Sequence, residues 1–169
     1  GGYHVTISNH LGVVMSAAAL DVVPAICVPS PANLAGWWRG ESNTADFASE
    51  LGGSLIGDAG FGPGKVGSAF RFDGDHDGVL LSNSARFQSA AFTIEMWMQR
   101  GSPGSVSSDQ VFAGGATFFG SGPGGLGFGL EKDGRLFLGS LDLGRVSSTA
   151  TITDTNWHHV GATDSGGLV

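Results

Sequence analysis

The sequence predicts an all-β sandwich built from two antiparallel sheets, and three observations support this fold class. Residues Phe92–Met98 alternate apolar and polar side chains, which is the period of a half-buried strand. Apolar runs on both sides of Asp133-Gly134 predict a hairpin, because this dipeptide accepts the positive φ angles of a type I′ turn. Beyond Asn33, no window long enough for a helix holds the apolar spacing of one. Helix content is therefore expected to be very low.

The composition indicates a folded, acidic chain. Hydrophobic residues make up 41% of the 169 residues and charged residues only 14%, which supplies enough apolar side chain for a core. Acids outnumber bases 15 to 8, and the formal net charge of −7, without a basic stripe, argues against a nucleic acid partner. The single cysteine, Cys27, cannot form a disulfide within the chain. We therefore expect a globular protein that does not bind DNA or RNA.

The first 23 residues predict a β-hairpin. Tyr3–Ile7 alternates apolar and polar residues, Asn9–Gly12 offers a turn, and a second alternating run continues to Val22. This hairpin resembles the last two strands of an immunoglobulin-like domain. Tyr3 stands at the position of the tyrosine corner, and Val5 stands where that family carries its second disulfide cysteine. The resemblance implies that residues 1–23 are the end of a domain whose other strands precede this chain.

Residues 24–33 predict a linker between domains. The apolar stretch Leu11–Val28 is interrupted by Asp21 and by a proline, so we do not expect it to insert into a membrane. Proline stiffens the backbone toward an extended form that suits a spacer. The prolines of this segment are Pro24, Pro29 and Pro31.

Four segments after residue 34 occur in the order typical of one domain family. Ala35–Asn43 is followed by Phe61–Asp77, then by the strand Phe92–Trp97, and finally by Asn156–Val160. Together they resemble the laminin-G-like jelly-roll domains of the concanavalin A-like superfamily. The resemblance implies that residues 34–169 form a jelly-roll sandwich of two antiparallel sheets. In that family further strands follow the Trp-His-His-Val strand, so the sandwich is expected to be truncated at its C-terminus.

Large aromatic residues are expected to fill the core of the sandwich, because each buries a large apolar area. We assign this role to Trp37, Trp97 and Trp157. Trp38 lies on the opposite strand face from Trp37, so it is the candidate for stacking on a sugar ligand. Gly64 and Gly67 allow a turn in this segment, and Val66, Phe70 and Phe72 are expected to enter the core.

Two acidic loops are candidate calcium sites. Asp73, Asp75 and Asp77 place three carboxylates on one short turn, and Ca²⁺ takes six to eight oxygen ligands from carboxylates, carbonyls and water. The spacing differs from that of an EF-hand, so other parts of the fold would complete the ligand set. Solvated acids that simply favour a turn are the alternative interpretation. The resemblance to laminin-G-like domains implies calcium near such loops, and it adds Glu41, Asn43 and Asp46.

The sequence holds no pattern typical of a catalytic site. His158 and His159 are consecutive strand residues that point to opposite faces, so they cannot jointly hold one metal ion. Glycoside hydrolases of the same fold carry an acid-rich strand, whereas Met96–Gln99 adds no second acid after Glu95. We therefore expect a protein that is not an enzyme.

These observations lead to a hypothesis of function. The chain is interpreted as a non-catalytic recognition module of a secreted or cell-surface multidomain protein, with calcium as its candidate cofactor. Its expected partner is a glycan or an extracellular protein ligand. Two alternatives stay open, namely a structural spacer in a modular extracellular protein and a divergent glycoside hydrolase, since the fold alone does not fix the function.

Overall fold

A computed structural model describes residues 3–9, 12–18, 30–49, 51–82, 85–104, 115–120, 125–140 and 144–166. The chain divides into two compact units, Gly1–Asn33 and Leu34–Val169. The part of the chain that the structure describes contains no helix with the length and apolar character needed to span a bilayer.

The N-terminal unit contains the predicted β-hairpin. Strand β1 (Tyr3–Asn9) pairs antiparallel with β2 (Gly12–Ala18), so that Tyr3 lies opposite Ala18 and Asn9 opposite Gly12. The hairpin prediction is confirmed over these residues. The expected continuation to Val22 and the first part of the proline-rich segment lie outside the described residues. The immunoglobulin-like origin of the hairpin stays a prediction.

The described part of the C-terminal unit is built from short antiparallel strands and contains no α-helix. A 3₁₀ turn at Ala85–Phe87 separates two of the strands. The expected all-β fold class is therefore confirmed. The strands are β3 (Gly53–Ile56), β4 (Gly60–Pro63), β5 (Ser68–Arg71), β6 (Gly78–Leu81), β7 (Phe92–Met98), β8 (Gly115–Gly120), β9 (Leu126–Glu131), β10 (Arg135–Ser140), β11 (Gly144–Thr151) and β12 (His158–Asp164).

The core lies between a four-stranded sheet and the β7–β12 pair. The four-stranded sheet has the order β11-β10-β9-β8. Two further pairs, β3–β6 and β4–β5, come before these strands in the sequence. Side chains from both layers form one buried cluster, as a two-layer sandwich requires. Its buried members are Met98, Phe128, Leu130, Leu138 and Val160.

Strand β7 shows most directly how the sequence pattern produces the sandwich. Phe92, Ile94 and Met96 are half-buried and pack against the core cluster, while the alternate residues are exposed. Across the pair, Val160 lies opposite Met96 and Ala162 opposite Ile94, so both strands present apolar side chains to the same layer. The predicted alternation is confirmed.

The β9–β10 hairpin is confirmed, but the predicted turn type is wrong. Leu130 pairs with Leu136, and the Gly134 amide donates a 2.9 Å hydrogen bond to the Glu131 carbonyl. Gly134 has φ of 91°, whereas Asp133 is not among the described non-glycine residues with positive φ. A type I′ turn needs positive φ at both central residues, so only the glycine adopts the predicted conformation.

The prediction of a tryptophan-rich core is wrong for Trp37 and Trp97, which are 46% and 51% exposed. Trp97 lies on the outward phase of β7, because its alternate neighbours already occupy the inward phase. Trp157 is half-buried. Two residues of the segment around β5 that were also expected in the core are exposed, namely Val66 at 83% and Phe72 at 48%.

Candidate functional site

Three aspartates from two turns converge on one edge of the C-terminal unit. Asp58, Asp73 and Asp77 each offer a carboxylate oxygen, and these oxygens lie within 4.8 Å of one another. Two of the three belong to the predicted acidic turn, and Asp58 is a member that the sequence did not suggest. We call these residues the aspartate triad.

Strand pairing explains why the two turns meet. Asp58 lies in the turn between β3 and β4, and its two partners lie between β5 and β6. Because Ile56 pairs with Gly78 while Gly60 pairs with Arg71, the β3–β4 turn is fixed beside the β5–β6 turn. The triad is therefore a consequence of the β4–β5 hairpin and of the longer-range antiparallel pairing of β3 with β6.

The Asp77 carboxylate connects the two turns. Its Oδ1 accepts a hydrogen bond of 2.9 Å from the Asp58 amide, and its Oδ2 accepts one of 2.6 Å from the Asp73 amide. Gly57 makes the approach possible, because its φ is 69° and an added Cβ would lie 2.6 Å from Asp77 Oδ1. These contacts fix the position of at least one carboxylate of the triad.

The electrostatics of the triad are those of neighbouring like charges. The pKa of Asp58 is raised above its usual value, chiefly by the hydrogen bond with the Asp77 side chain and then by the charges of Asp73 and Asp77. The pKa of Asp77 is lowered, chiefly because its carboxylate accepts the Asp73 amide. A bound cation would therefore lower the electrostatic energy of the triad, because it offsets the mutual repulsion of the three carboxylates.

A shallow pocket adjoins the triad. It is lined by Asp58, Gly60, Phe61, Arg71 and Asp73. Among the residues that the structure describes, no ion pair joins Arg71 to a triad carboxylate. The carboxylates of Asp58 and Asp73 are exposed, so the pocket side of the triad is open to a ligand from solvent.

Asp75 stands apart from the triad, although it lies on the same turn. Its Oδ1 lies 2.6 Å from Nδ1 of His76, and both side chains are largely exposed. Its amide donates a 2.8 Å hydrogen bond to Asp73 Oδ1, which helps to shape the turn. Asp75 is therefore not among the residues whose carboxylate oxygens converge.

The second predicted loop uses its polar side chains to hold its own backbone. Asp46 is 6% exposed and accepts hydrogen bonds from the amides of Trp37 and Ala48 and from the Ser49 hydroxyl. Burial raises the pKa of Asp46, and these hydrogen bonds lower it by more, so that it ends below its usual value.

The other two residues of this loop also accept backbone hydrogen bonds, Glu41 from a distant segment and Asn43 from within the loop. Glu41 Oε2 accepts a 3.1 Å hydrogen bond from the Ser68 amide, and Asn43 Oδ1 accepts one of 3.0 Å from the Ala45 amide. Over the described residues, neither Glu41 nor Asp46 belongs to a group of three or more His, Cys, Asp or Glu side chains with metal-ligand spacing.

Trp38, the predicted sugar-stacking residue, is half-buried. Its ring lies 6.0 Å from that of Phe87 and 6.3 Å from that of Phe119, and its Nε1 is buried. The exposed indole of the Trp37-Trp38 pair is Trp37. Its ring lies 6.2 Å from the Phe47 ring at an interplanar angle of 59°, and the Arg39 guanidinium lies over both rings.

A second polar surface lies on the outward face of the β7–β12 pair. The His159 ring lies 5.2 Å from the Trp97 ring, and its Nε2 lies 3.9 Å from Glu95 Oε2. His158 lies on the opposite phase of β12 and contacts Asp154 at 2.8 Å. As predicted, the two consecutive histidines lie on opposite faces of the strand and have different neighbours.

Comparison with known proteins gives one family. A laminin-G family model, described as concanavalin A-like lectin/glucanases superfamily, matches residues 73–168, which is more than half of the chain. Searches of curated proteins and of solved structures returned no match. The matched region includes two aspartates of the triad and all strands from β6 to β12. The chain therefore belongs to the concanavalin A-like lectin/glucanases superfamily.

Proposed function

We propose that this chain is a non-catalytic recognition module that binds a glycan or an extracellular protein ligand and holds Ca²⁺ at the aspartate triad. The single observation that carries the proposal is the convergence of three carboxylate oxygens within 4.8 Å on two adjoining turns. We place the calcium-dependent ligand site of the module beside the triad.

The chemistry of the triad suits calcium. Ca²⁺ is a hard cation that takes carboxylate and carbonyl oxygens together with water, in flexible geometry. Asp77 is held in place by two backbone amides, while Asp58 has a raised pKa because of its acidic neighbours. A divalent cation would offset this repulsion and would leave open coordination positions for water or for ligand hydroxyl groups.

The surroundings of Glu95 support recognition over glycoside hydrolysis. Hydrolysis of the retaining kind needs a second carboxyl group about 5–5.5 Å from the first. Within the β7–β12 pair, Glu95 lies opposite Gly161, and the other outward neighbours are threonine, tryptophan and histidine. Laminin-G-like domains are generally non-catalytic, which agrees with this arrangement.

The proposed setting is a modular protein that is secreted or displayed on a cell surface. In this arrangement residues 1–23 end an immunoglobulin-like domain, residues 24–33 form a linker, and residues 34–169 form the recognition domain. The division of the chain into Gly1–Asn33 and Leu34–Val169 supports the second boundary.

A glycan array probed with the full chain tests the proposal. The array is run in buffer with calcium and again with a chelator, using wild type and Asp77→Asn. Binding that depends on calcium and is lost in the variant is the expected result. Uniform absence of binding in both buffers, together with no calcium-dependent retention of extracellular protein ligands, would remove the proposal.

A further inference from the structure

The outward face of the β7–β12 pair carries an exposed indole within a polar strip. Trp97 is 51% exposed, and the exposed residues of the strip alternate with the buried phase of both strands. Thr93 and Thr163 lie opposite each other with their hydroxyls 3.0 Å apart, which marks the far end of the strip. The Trp97 indole is thus not part of the core and is exposed to solvent on a regular sheet surface.

Two nitrogen-bearing side chains converge on this indole. Lys65 Nζ lies 5.2 Å from the Trp97 ring centroid, and the His159 ring lies 5.2 Å away on the neighbouring strand. Over the described residues, Lys65 has no ion-pair partner, although the whole chain carries a formal charge of −7. Lys65 therefore places its ammonium group over the Trp97 ring, and no carboxylate of the described residues forms an ion pair with it.

Gly161 leaves room for a ligand beside these groups. It lies opposite Glu95, and an added Cβ would lie 3.5 Å from Glu95 Cβ. The position between His159 and Thr163 on β12 therefore has no side chain to fill the face. The Glu95 side chain, which is 68% exposed, can accept hydrogen bonds from hydroxyl groups above this gap.

We propose that Trp97, Lys65 and His159 form a binding site for a carboxylate-bearing sugar of a glycan. The apolar face of a pyranose ring stacks on the indole, and ring hydroxyls bond to Glu95 and His159. The sugar carboxylate pairs with the Lys65 ammonium, which is the complement that this cation lacks within the described protein. This inference rests on the proposed recognition function and names its ligand class, but it does not involve the calcium site.

The test uses a galacturonic acid tetrasaccharide and its fully methyl-esterified form, which keeps the pyranose rings and removes the charges. Both are titrated into the full chain in the presence of a chelator, because free uronates bind calcium themselves. Affinities of all proteins are measured by isothermal titration calorimetry, and the site in wild type is located by the indole N–H resonance of Trp97, which is identified by its absence in Trp97→Phe. The variants are Trp97→Ala and Lys65→Gln, and Lys132→Gln, an exposed lysine of the β9–β10 turn, is the matched control.

The expected result is binding of the acidic tetrasaccharide that shifts the Trp97 resonance. Trp97→Ala weakens this binding about tenfold or more, and Lys65→Gln weakens it about fivefold and removes the preference over the methyl ester. Lys132→Gln leaves it unchanged. Equal affinity for the acid and the ester would overturn the assignment of an acidic sugar.

The inference and the proposed function fail in different ways. If the chain binds glycans on the array while Trp97→Ala and Lys65→Gln bind the acidic tetrasaccharide in chelator as wild type does, the Trp97 site is wrong and the recognition function stands. If the acidic tetrasaccharide leaves the Trp97 resonance unchanged, the site is also wrong, whatever the array shows. If no glycan binds on the array or in the titration, the glycan-binding function and the site fall together.

Discussion

Asp77 and Asp58 lie 19 positions apart in sequence, yet the Asp77 carboxylate accepts the Asp58 amide at 2.9 Å. Through this contact the β5–β6 turn holds the β3–β4 turn, and the two side chains also share a hydrogen bond that raises the pKa of Asp58. Hydrogen bonds within the protein thus bring together the carboxylates that could hold a cation. These hydrogen bonds form without a bound cation.

Substitution Asp58→Asn is expected to stabilise the protein slightly when no calcium is present. Because the folded state raises the pKa of Asp58, its favourable contribution is present below the usual value of 3.8 and is lost as the pH rises through the folded pKa. At neutral pH the ionised side chain opposes folding, and asparagine removes that charge. Urea unfolding at pH 7 with a chelator measures the effect, and a clear loss of stability would contradict the electrostatic account.

Substitution Asp46→Ala is expected to destabilise the protein by about 2–3 kcal/mol, because it leaves buried donors without an acceptor. Asp46→Asn keeps one oxygen in place and should cost about half as much. Since the folded state lowers the pKa of Asp46, its contribution is present above 3.8 and is lost as the pH falls through the folded pKa. Urea unfolding at pH 7 and pH 3 measures both effects. Equal stability of Asp46→Ala and wild type at pH 7 would show that the loop does not depend on this carboxylate.

Substitution Phe128→Ala is expected to cost about 3–5 kcal/mol, because this side chain is 1% exposed and its loss opens a cavity in the core cluster. Trp97→Ala removes a larger side chain from the outward face and should cost about 1 kcal/mol or less. Thermal unfolding of the two variants compares them directly. A larger loss of stability in Trp97→Ala than in Phe128→Ala would indicate that Trp97 is buried in the core, and it would contradict the described faces of β7.

Substitution Gly134→Ala is expected to cost more than about 2 kcal/mol, since φ is 91° and the added Cβ would lie 2.5 Å from the Ile152 carbonyl oxygen. Gly144 has φ of 93° but an added Cβ would meet nothing within 4 Å. Gly144→Ala therefore isolates the backbone strain, which is about 1–2 kcal/mol. Equal losses in urea unfolding would show that the contact with Ile152 contributes nothing.

The elements that the sequence predicted well are those with a local pattern. The period of Phe92–Met98 and the turn residues Asp133-Gly134 each depend on a few consecutive positions, and the strand and the hairpin formed as expected, although the turn type differs from the predicted one. The prediction that Trp97 is buried was wrong because it disregarded the same local pattern. The size of Trp97 argued for burial, but the strand period had already assigned it to the face opposite Ile94 and Met96.

The candidate site was predictable only in part. Asp73 and Asp77 share one turn, so their proximity could be inferred from the sequence, while the inclusion of Asp58 depends on the pairing of β3 with β6. That pairing joins segments far apart in the chain, and short four-residue strands carry too weak a pattern to reveal their partner. The sequence also did not separate Asp75 from Asp73 and Asp77, because the contact of its carboxylate with His76 is seen only in the structure.

The most direct test of the calcium-holding triad is the thermal unfolding midpoint of the full chain, measured with a chelator and with increasing calcium. A ligand that binds only the folded state raises stability by mass action. We predict that calcium raises the midpoint of wild type and of Asp75→Asn, whose carboxylate lies outside the triad, and leaves that of Asp58→Asn unchanged. A midpoint of wild type that does not respond to calcium, or an equal response in Asp58→Asn, would contradict the account.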